Sequence, residues 1–201
     1  MRLTNLVLDG KDCFFENDVT ITGDIKIWNG TLKVNGNLKI EGNVLVETGT
    51  ILVSDTLIFG SNIHINITDG TIYCESLLCF SNIIMSYGDI YVAQSLLARD
   101  IISNGNIEVG HNAVVNNVTA LNYLITGFND ARSVKAMKDI YILRDNDSSE
   151  LSAKELFIGG DCVTNGHSIS AHHFECGGEL YCDELFVEWS FTLANFQEQK
   201  L

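Results

Sequence analysis

Gly70-Thr71-Ile72-Tyr73-Cys74, Gly88-Asp89-Ile90-Tyr91-Val92 and Gly105-Asn106-Ile107-Glu108-Val109 align almost without gaps, and their glycines recur at nearly equal intervals along the chain. Behind each glycine come three pairs of apolar or small residues, each pair separated by one position. After Gly88 the pairs are Ile90/Val92, Leu96/Ala98 and Ile101/Ser103. After Gly105 they are Ile107/Val109, Ala113/Val115 and Val118/Ala120, and after Gly70 Ile72/Cys74, Leu77/Cys79 and Ile83/Met85. A period of two is the mark of a strand with one buried face. Three such pairs between one glycine and the next mean three short strands per turn.

One such strand cannot bury its apolar face alone. Coiling stacks equivalent positions of successive units, and the inward residues then form a continuous core. The chain is therefore expected to be all-β, a single-domain parallel β-solenoid of triangular section with about 17–18 residues per coil. The unit recurs as Gly23-Asp24-Ile25-Lys26-Ile27 and Gly42-Asn43-Val44-Leu45-Val46. It returns as Lys138-Asp139-Ile140-Tyr141-Ile142, Gly160-Asp161-Cys162 and Gly178-Glu179-Leu180-Tyr181-Cys182.

Within a domain spanning 1–201, residues 1–18 read as an N-terminal cap, 19–125 as regular coils, 126–150 as irregular loops holding one coil strand, 151–187 as further coils and 188–201 as a C-terminal cap. Thr192 to Leu201 suits a short helix. Asn82, Asp100 and Asn117 fall at the same offset from their glycines, with Asn62 one position out of phase, and predict a polar ladder at one corner. Tyr73, Tyr91, Tyr141 and Tyr181 share an outward position and predict an exposed aromatic stripe.

Composition agrees. The 201 residues include 17 glycines and no proline. Proline would remove a donor that each solenoid strand gives to the next coil. Acids outnumber bases 26 to 12, for a formal charge of −14. That argues against nucleic acid and anionic membrane as partners, and is compatible with a basic protein. The charge is unevenly placed: no Lys or Arg lies between Lys39 and Arg99, and Asp145 to Glu188 holds ten acids and one base. No apolar run is long enough to span a bilayer. The N-terminus has no signal-peptide core, so the six cysteines read as reduced thiols and the cytoplasm as the location.

Gly36-Asn37-Leu38-Lys39-Ile40-Glu41-Gly42-Asn43-Val44 and Gly88-Asp89-Ile90-Tyr91-Val92 resemble the repeats of bactofilins, bacterial polymer-forming cytoskeletal proteins. The resemblance covers roughly residues 19–120 and, less closely, 138–187. It implies a right-handed triangular β-helix that polymerises end to end without nucleotide.

Candidate sites are few. Cys162, His167, His172, His173, Cys176 and Cys182 are zinc-type ligands clustered in sequence, with His167, His172, His173 and Cys176 the metal candidates. Cys162 and Cys182 occupy inward positions filled elsewhere by Ile, Leu or Val, so core packing is the preferred reading and no cofactor is expected. A cysteine on a buried strand face is inert as a nucleophile, and no residue is assigned a catalytic role. Asp183-Glu184 and Asp145/Asp147 admit a glycosidase or calcium reading, against which a solvated acidic face is preferred. Tyr73, Tyr91, Tyr141, Tyr181, Asp145, Asp147, Glu150, Asp183 and Glu184 are the candidate protein-binding residues. The expected function is a non-catalytic protein-binding solenoid, a structural or self-assembling scaffold whose partner is itself or another protein. An acidic immunity protein that neutralises a basic toxin or nuclease is the alternative. A carbohydrate-active or acyl-transferring β-helix enzyme is the third reading.

Overall fold

The computed structural model describes residues 1–125, 129–142, 146–164 and 168–193, without the side chains at 116, 130, 132 and 149. Among them there is no helix, and all 22 strands belong to one parallel sheet wound into a solenoid of about ten turns. Each coil contributes to three faces in chain order. Face one begins with Arg2–Leu3, followed by Val19–Ile21, Leu38–Ile40 and Thr56–Phe59. Face two begins with Leu6–Leu8, followed by the first half of Ile25–Val34 and of Val44–Val53. Face three begins with Cys13–Phe15, followed by the second halves of those same two strands. These long strands thus turn a corner with a local register shift, Trp28 pairing with Thr48 and Gly30 with Gly49.

The alternation read from sequence is what fills the interior. Ile90, Val92, Leu96, Ala98 and Ile101 are all buried, while Tyr91, Leu97 and Ile102 between them point outward. Register carries each inward side chain onto its equivalent: Ile25 on Val44, Val44 on Ile65, Ile83 on Ile101, Ile101 on Val118. Complete burial of each such aliphatic side chain contributes about 1.5–3 kcal/mol.

The coil length departs from the even spacing expected. Val19 pairs with Leu38 and Leu38 with Leu57, so these coils are longer than those that follow Gly70. Val44 pairs with Ile65, a longer step still, and Ile107 pairs with Tyr123, a shorter one. The corners absorb the variation while the strand pairs keep their parity.

Glycine and Asp/Asn meet at corners for a physical reason. The side chain after the glycine accepts a hydrogen bond from a backbone N–H one coil on: Asn43 N–H donates to Asp24 Oδ1 (2.9 Å), Asn106 N–H to Asp89 Oδ1 (2.7 Å) and Glu179 N–H to Asp161 Oδ1 (2.8 Å). Asp18 takes the same role in the first coils, accepting from Asn37 N–H at 2.8 Å. The motif therefore marks corners of any face. The units of Gly23 and Gly42 open face two, those of Gly70, Gly88 and Gly105 open face three, and those of Gly36, Gly160 and Gly178 open face one. The polar ladder forms as expected: Asn82 pairs with Asp100 and Asp100 with Asn117, whose amide donates to Asp100 Oδ1 at 2.7 Å. It continues through Ser133 to Glu150.

The region read as irregular loops is corrected, and coil strands also occupy described parts of both ends. Within 126–150, residues 129–142 and 146–150 are coil strands in register with their neighbours. The rhythm is lost in the sequence because Asn129, Asn146 and Ser148 take inward positions, all essentially buried. They satisfy one another: Tyr123 Oη donates to Asn129 Oδ1 (2.8 Å), Asn129 Nδ2 to Asn146 Oδ1 (2.8 Å) and to Ser148 Oγ (2.8 Å). A buried polar group with its partners in place carries little penalty, so the coil continues across them. Residues 1–18 form the first coil, with Leu3, Leu6, Cys13 and Phe15 half-buried against the core. At the other end Glu184–Leu193 is a coil strand that includes Thr192, and 194–201 lie outside the described residues. No helix among the described residues is long and apolar enough to cross a membrane.

Candidate functional site

Parity sends every second residue of face three outward, and register aligns them. The column runs Phe14, Lys33, Leu52, Tyr73, Tyr91, Glu108, Leu124, Tyr141 and Phe157. Tyr73 and Tyr91 stack face to face, with centroids 4.7 Å apart and planes 8° from parallel. Such pairing is available only because their strands are locked in parallel register about one strand spacing apart. Tyr141 and Phe157 make a looser pair at 6.3 Å and 37°. Glu108 and Leu124 separate the two pairs, so the expected stripe is two aromatic patches on one face.

A groove of about 740 Å³ runs beside the first pair. Leu52, Val53, Tyr73 and Tyr91 give it an apolar floor, and Glu75 and Glu108 stand at its rim with their side chains exposed. Lys33 closes one end, its Nζ lying 5.5 Å from the centre of the Phe14 ring. Tyr91 Oη donates to Asp89 Oδ2 at 3.3 Å. Its phenol is held above the ordinary range by partial burial first, and then by the carboxylate of Asp89, by Tyr73 and by Glu108.

Tyr181 does not belong to this column. It pairs with Val163, which pairs with Asp147, on face one. Its phenol donates to Glu179 at the adjoining corner. The unit of Gly178 opens face one, whereas the units of Tyr73, Tyr91 and Tyr141 lie on face three, and sequence alignment of the motif cannot distinguish them. Asp147 is exposed beside that column, Glu150 sits at the corner between faces one and two in an ion pair with Lys135 (3.0 Å), and Asp183 and Glu184 are exposed in the last coil. None of these acids lies on face three. Asp145 lies outside the described residues.

The zinc candidates part company. Cys176 is completely buried on the inner side of face three, its thiol directed at the carbonyl of Gly160 (3.5 Å). His172 and His173 stand half-exposed at a corner. His172 Nε2 lies 3.2 Å from Glu188, and its ring is 4.9 Å from that of Trp189. His173 Nδ1 lies 2.5 Å from Ser190 Oγ, and its Nε2 3.8 Å from Glu155. Among the described residues no three His, Cys, Asp or Glu side chains converge as a metal would need, and His167 lies outside them. Cys162 is fully buried and accepts from Asn146 Nδ2 at 3.8 Å; its thiol is pushed up to about 12, chiefly by burial. Cys74 is pushed to about 12 and Cys79 to about 11 by the same cause.

Sequence reading placed the tyrosines outward but missed Phe14, Lys33 and Leu52 as their neighbours. The longer coils near the N-terminus hide that register. No family model, curated protein or solved structure matches this chain.

Proposed function

We propose that this chain is a non-catalytic, protein-binding β-solenoid, a structural or self-assembling scaffold that uses face three as its contact surface. One observation carries the reading: the outward-facing Tyr73–Tyr91 pair, half-buried at Tyr91, over an apolar-floored groove. Rigid aromatic side chains on a fixed wall lose little entropy on contact, and they are enriched at interfaces. The bactofilin-like repeats Gly36–Val44 and Gly88–Val92 support self-assembly through the coil ends, alongside the contact on face three. The carboxylates of Glu75 and Glu108 at the groove rim favour a second reading, an acidic inhibitor that neutralises a basic toxin or nuclease.

Site-specific photo-cross-linking tests the proposal. A photoreactive residue at position 52 is expected to capture a second copy or one discrete partner protein, and the same group at Thr119 on face two is expected to capture neither. Sedimentation over a wide concentration range separates the two forms. Equal labelling from both positions, or none from position 52, overturns the assignment of face three.

A further inference from the structure

The geometry points to the Tyr73–Tyr91 groove as a seat for an arginine side chain of a protein partner, with the guanidinium laid on the outer face of the Tyr91 ring and held by Glu108 and Glu75. This inference rests on the reading of face three as a protein-binding surface and names the chemistry of its ligand.

Several observations converge. The two phenol rings stack on each other, so their facing sides are mutually covered and the ring face left to a ligand at Tyr91 is the one turned toward the coil of Glu108. A planar guanidinium packs on such rings better than a compact ammonium, and it has donors left over for carboxylates. The acids are in place: Glu108 is the register partner of Tyr91 on the next coil, and Glu75 follows Tyr73 closely at the corner. Lys33 is the one Lys or Arg among the residues lining the groove, against Glu75 and Glu108, and its Nζ stands over the Phe14 ring. The same column already contains the intramolecular version of this contact, Lys33 over Phe14. The raised phenol of Tyr91 agrees with carboxylates close enough to act on the rings. A protein segment rather than a free small cation fits the length of the groove, which spans the outward residues of five coils from Lys33 to Glu108.

The test is calorimetric titration of the full chain with a short flexible peptide bearing two arginines, and with peptides of the same sequence bearing lysine or citrulline instead. Citrulline keeps the shape and removes the charge. The arginine peptide is expected to bind, and the citrulline peptide to bind about tenfold or more weakly. Glu108→Gln and Tyr91→Ala are each expected to weaken the arginine peptide about fivefold or more, with circular dichroism unchanged and Thr119→Ala without effect. Citrulline binding as well as arginine, or Glu108→Gln binding as well as wild type, overturns the arginine seat. So does a neutral oligosaccharide that shifts the tyrosine resonances while the arginine peptide does not, since this assigns the platform to a glycan. If cross-linking from position 52 succeeds while the arginine peptide fails, only the ligand chemistry is wrong. If both fail, the reading of face three fails with it.

Discussion

At the residue scale, Gly88 shows why the coil corners are intolerant. Its φ is 127°, and a Cβ there would land on the carbonyl oxygen of Gly70 in the coil beneath. Gly105 meets Gly88 in the same way, so the glycines form a stacked column at the entry to face three. Gly10 is the contrast: its φ is 63°, but a Cβ there meets nothing. Gly88→Ala is expected to destabilise by more than the roughly 1–3 kcal/mol of backbone strain, because the clash adds to it. Gly10→Ala is expected to cost only about 1–2 kcal/mol. Urea unfolding of the two variants checks the difference, and equal losses would refute the stacking argument.

The buried thiols make a pH prediction at the same scale. Cys74 and Cys162 are held up to about 12 and Cys79 to about 11 because burial disfavours the thiolate. In the unfolded chain the same thiols ionise at about 8.5. Above that value the folded state binds more protons than the unfolded one, so stability falls as pH rises. The contribution is complete below about pH 8.5 and is lost progressively toward pH 11–12. Denaturation midpoints measured from neutral pH to about pH 10.5 are expected to decline, and Cys74→Ala, though less stable throughout, is expected to decline less steeply. A thiol reagent at mildly alkaline pH is expected to reach half-buried Cys13 and Cys182 well before Cys74, Cys79, Cys162 and Cys176.

At the element scale, the strands Asn122–Ile125, Asn129–Ala136 and Asn146–Ile158 are held by a different device from those before them. Their interior contains a hydrogen-bonded chain from Tyr123 through Asn129 to Asn146, Ser148 and Cys162. Asn129→Ala removes the acceptor of the Tyr123 hydroxyl and a donor to Asn146 and Ser148. Each buried group left unpaired costs about 1–3 kcal/mol, so the variant is expected to lose more than about 2 kcal/mol in chemical denaturation. A loss below about 1 kcal/mol would mean that the neighbouring groups find other partners. The same device explains what was legible here. Period two with apolar residues announces itself in Ile90/Val92 or Leu96/Ala98, but Asn129/Ala131 and Asn146/Ser148 look like loop. Whether a polar residue faces inward depends on partners a whole coil away in the chain, which become neighbours only once the coil has closed.

At the scale of the whole molecule, stability is propagated from coil to coil. Interior coils are paired on both sides, whereas the first coil and Glu184–Leu193 are paired on one side only among the described residues. Opening should therefore begin at the ends. Native-state hydrogen exchange is expected to be slowest at Ile72, Ile90 and Ile107 and fastest in Leu6–Leu8 and Glu184–Leu193. Uniform protection along the solenoid would contradict this.

The sequence by itself determined the all-β parallel solenoid, three strands to a coil, the inward and outward parity of its residues, and the corner role of Gly-Asp and Gly-Asn. These follow from local chemistry: alternation decides which side chains are buried, and each corner must find acceptors for its N–H groups close at hand. Only the tertiary structure decided the vertical register. It moved Tyr181 to another face, brought Phe14, Lys33 and Leu52 into the column of Tyr73 and Tyr91, and left Cys176 inside the wall whose corner carries His172 and His173. A coil as short as the step from Ile107 to Tyr123 and one as long as the step from Val44 to Ile65 satisfy the same strand parity, so spacing in the chain does not specify what lies above what. That is settled by which stack of coils fills the interior and pairs its buried polar groups, as Tyr123, Asn129, Asn146 and Ser148 are paired.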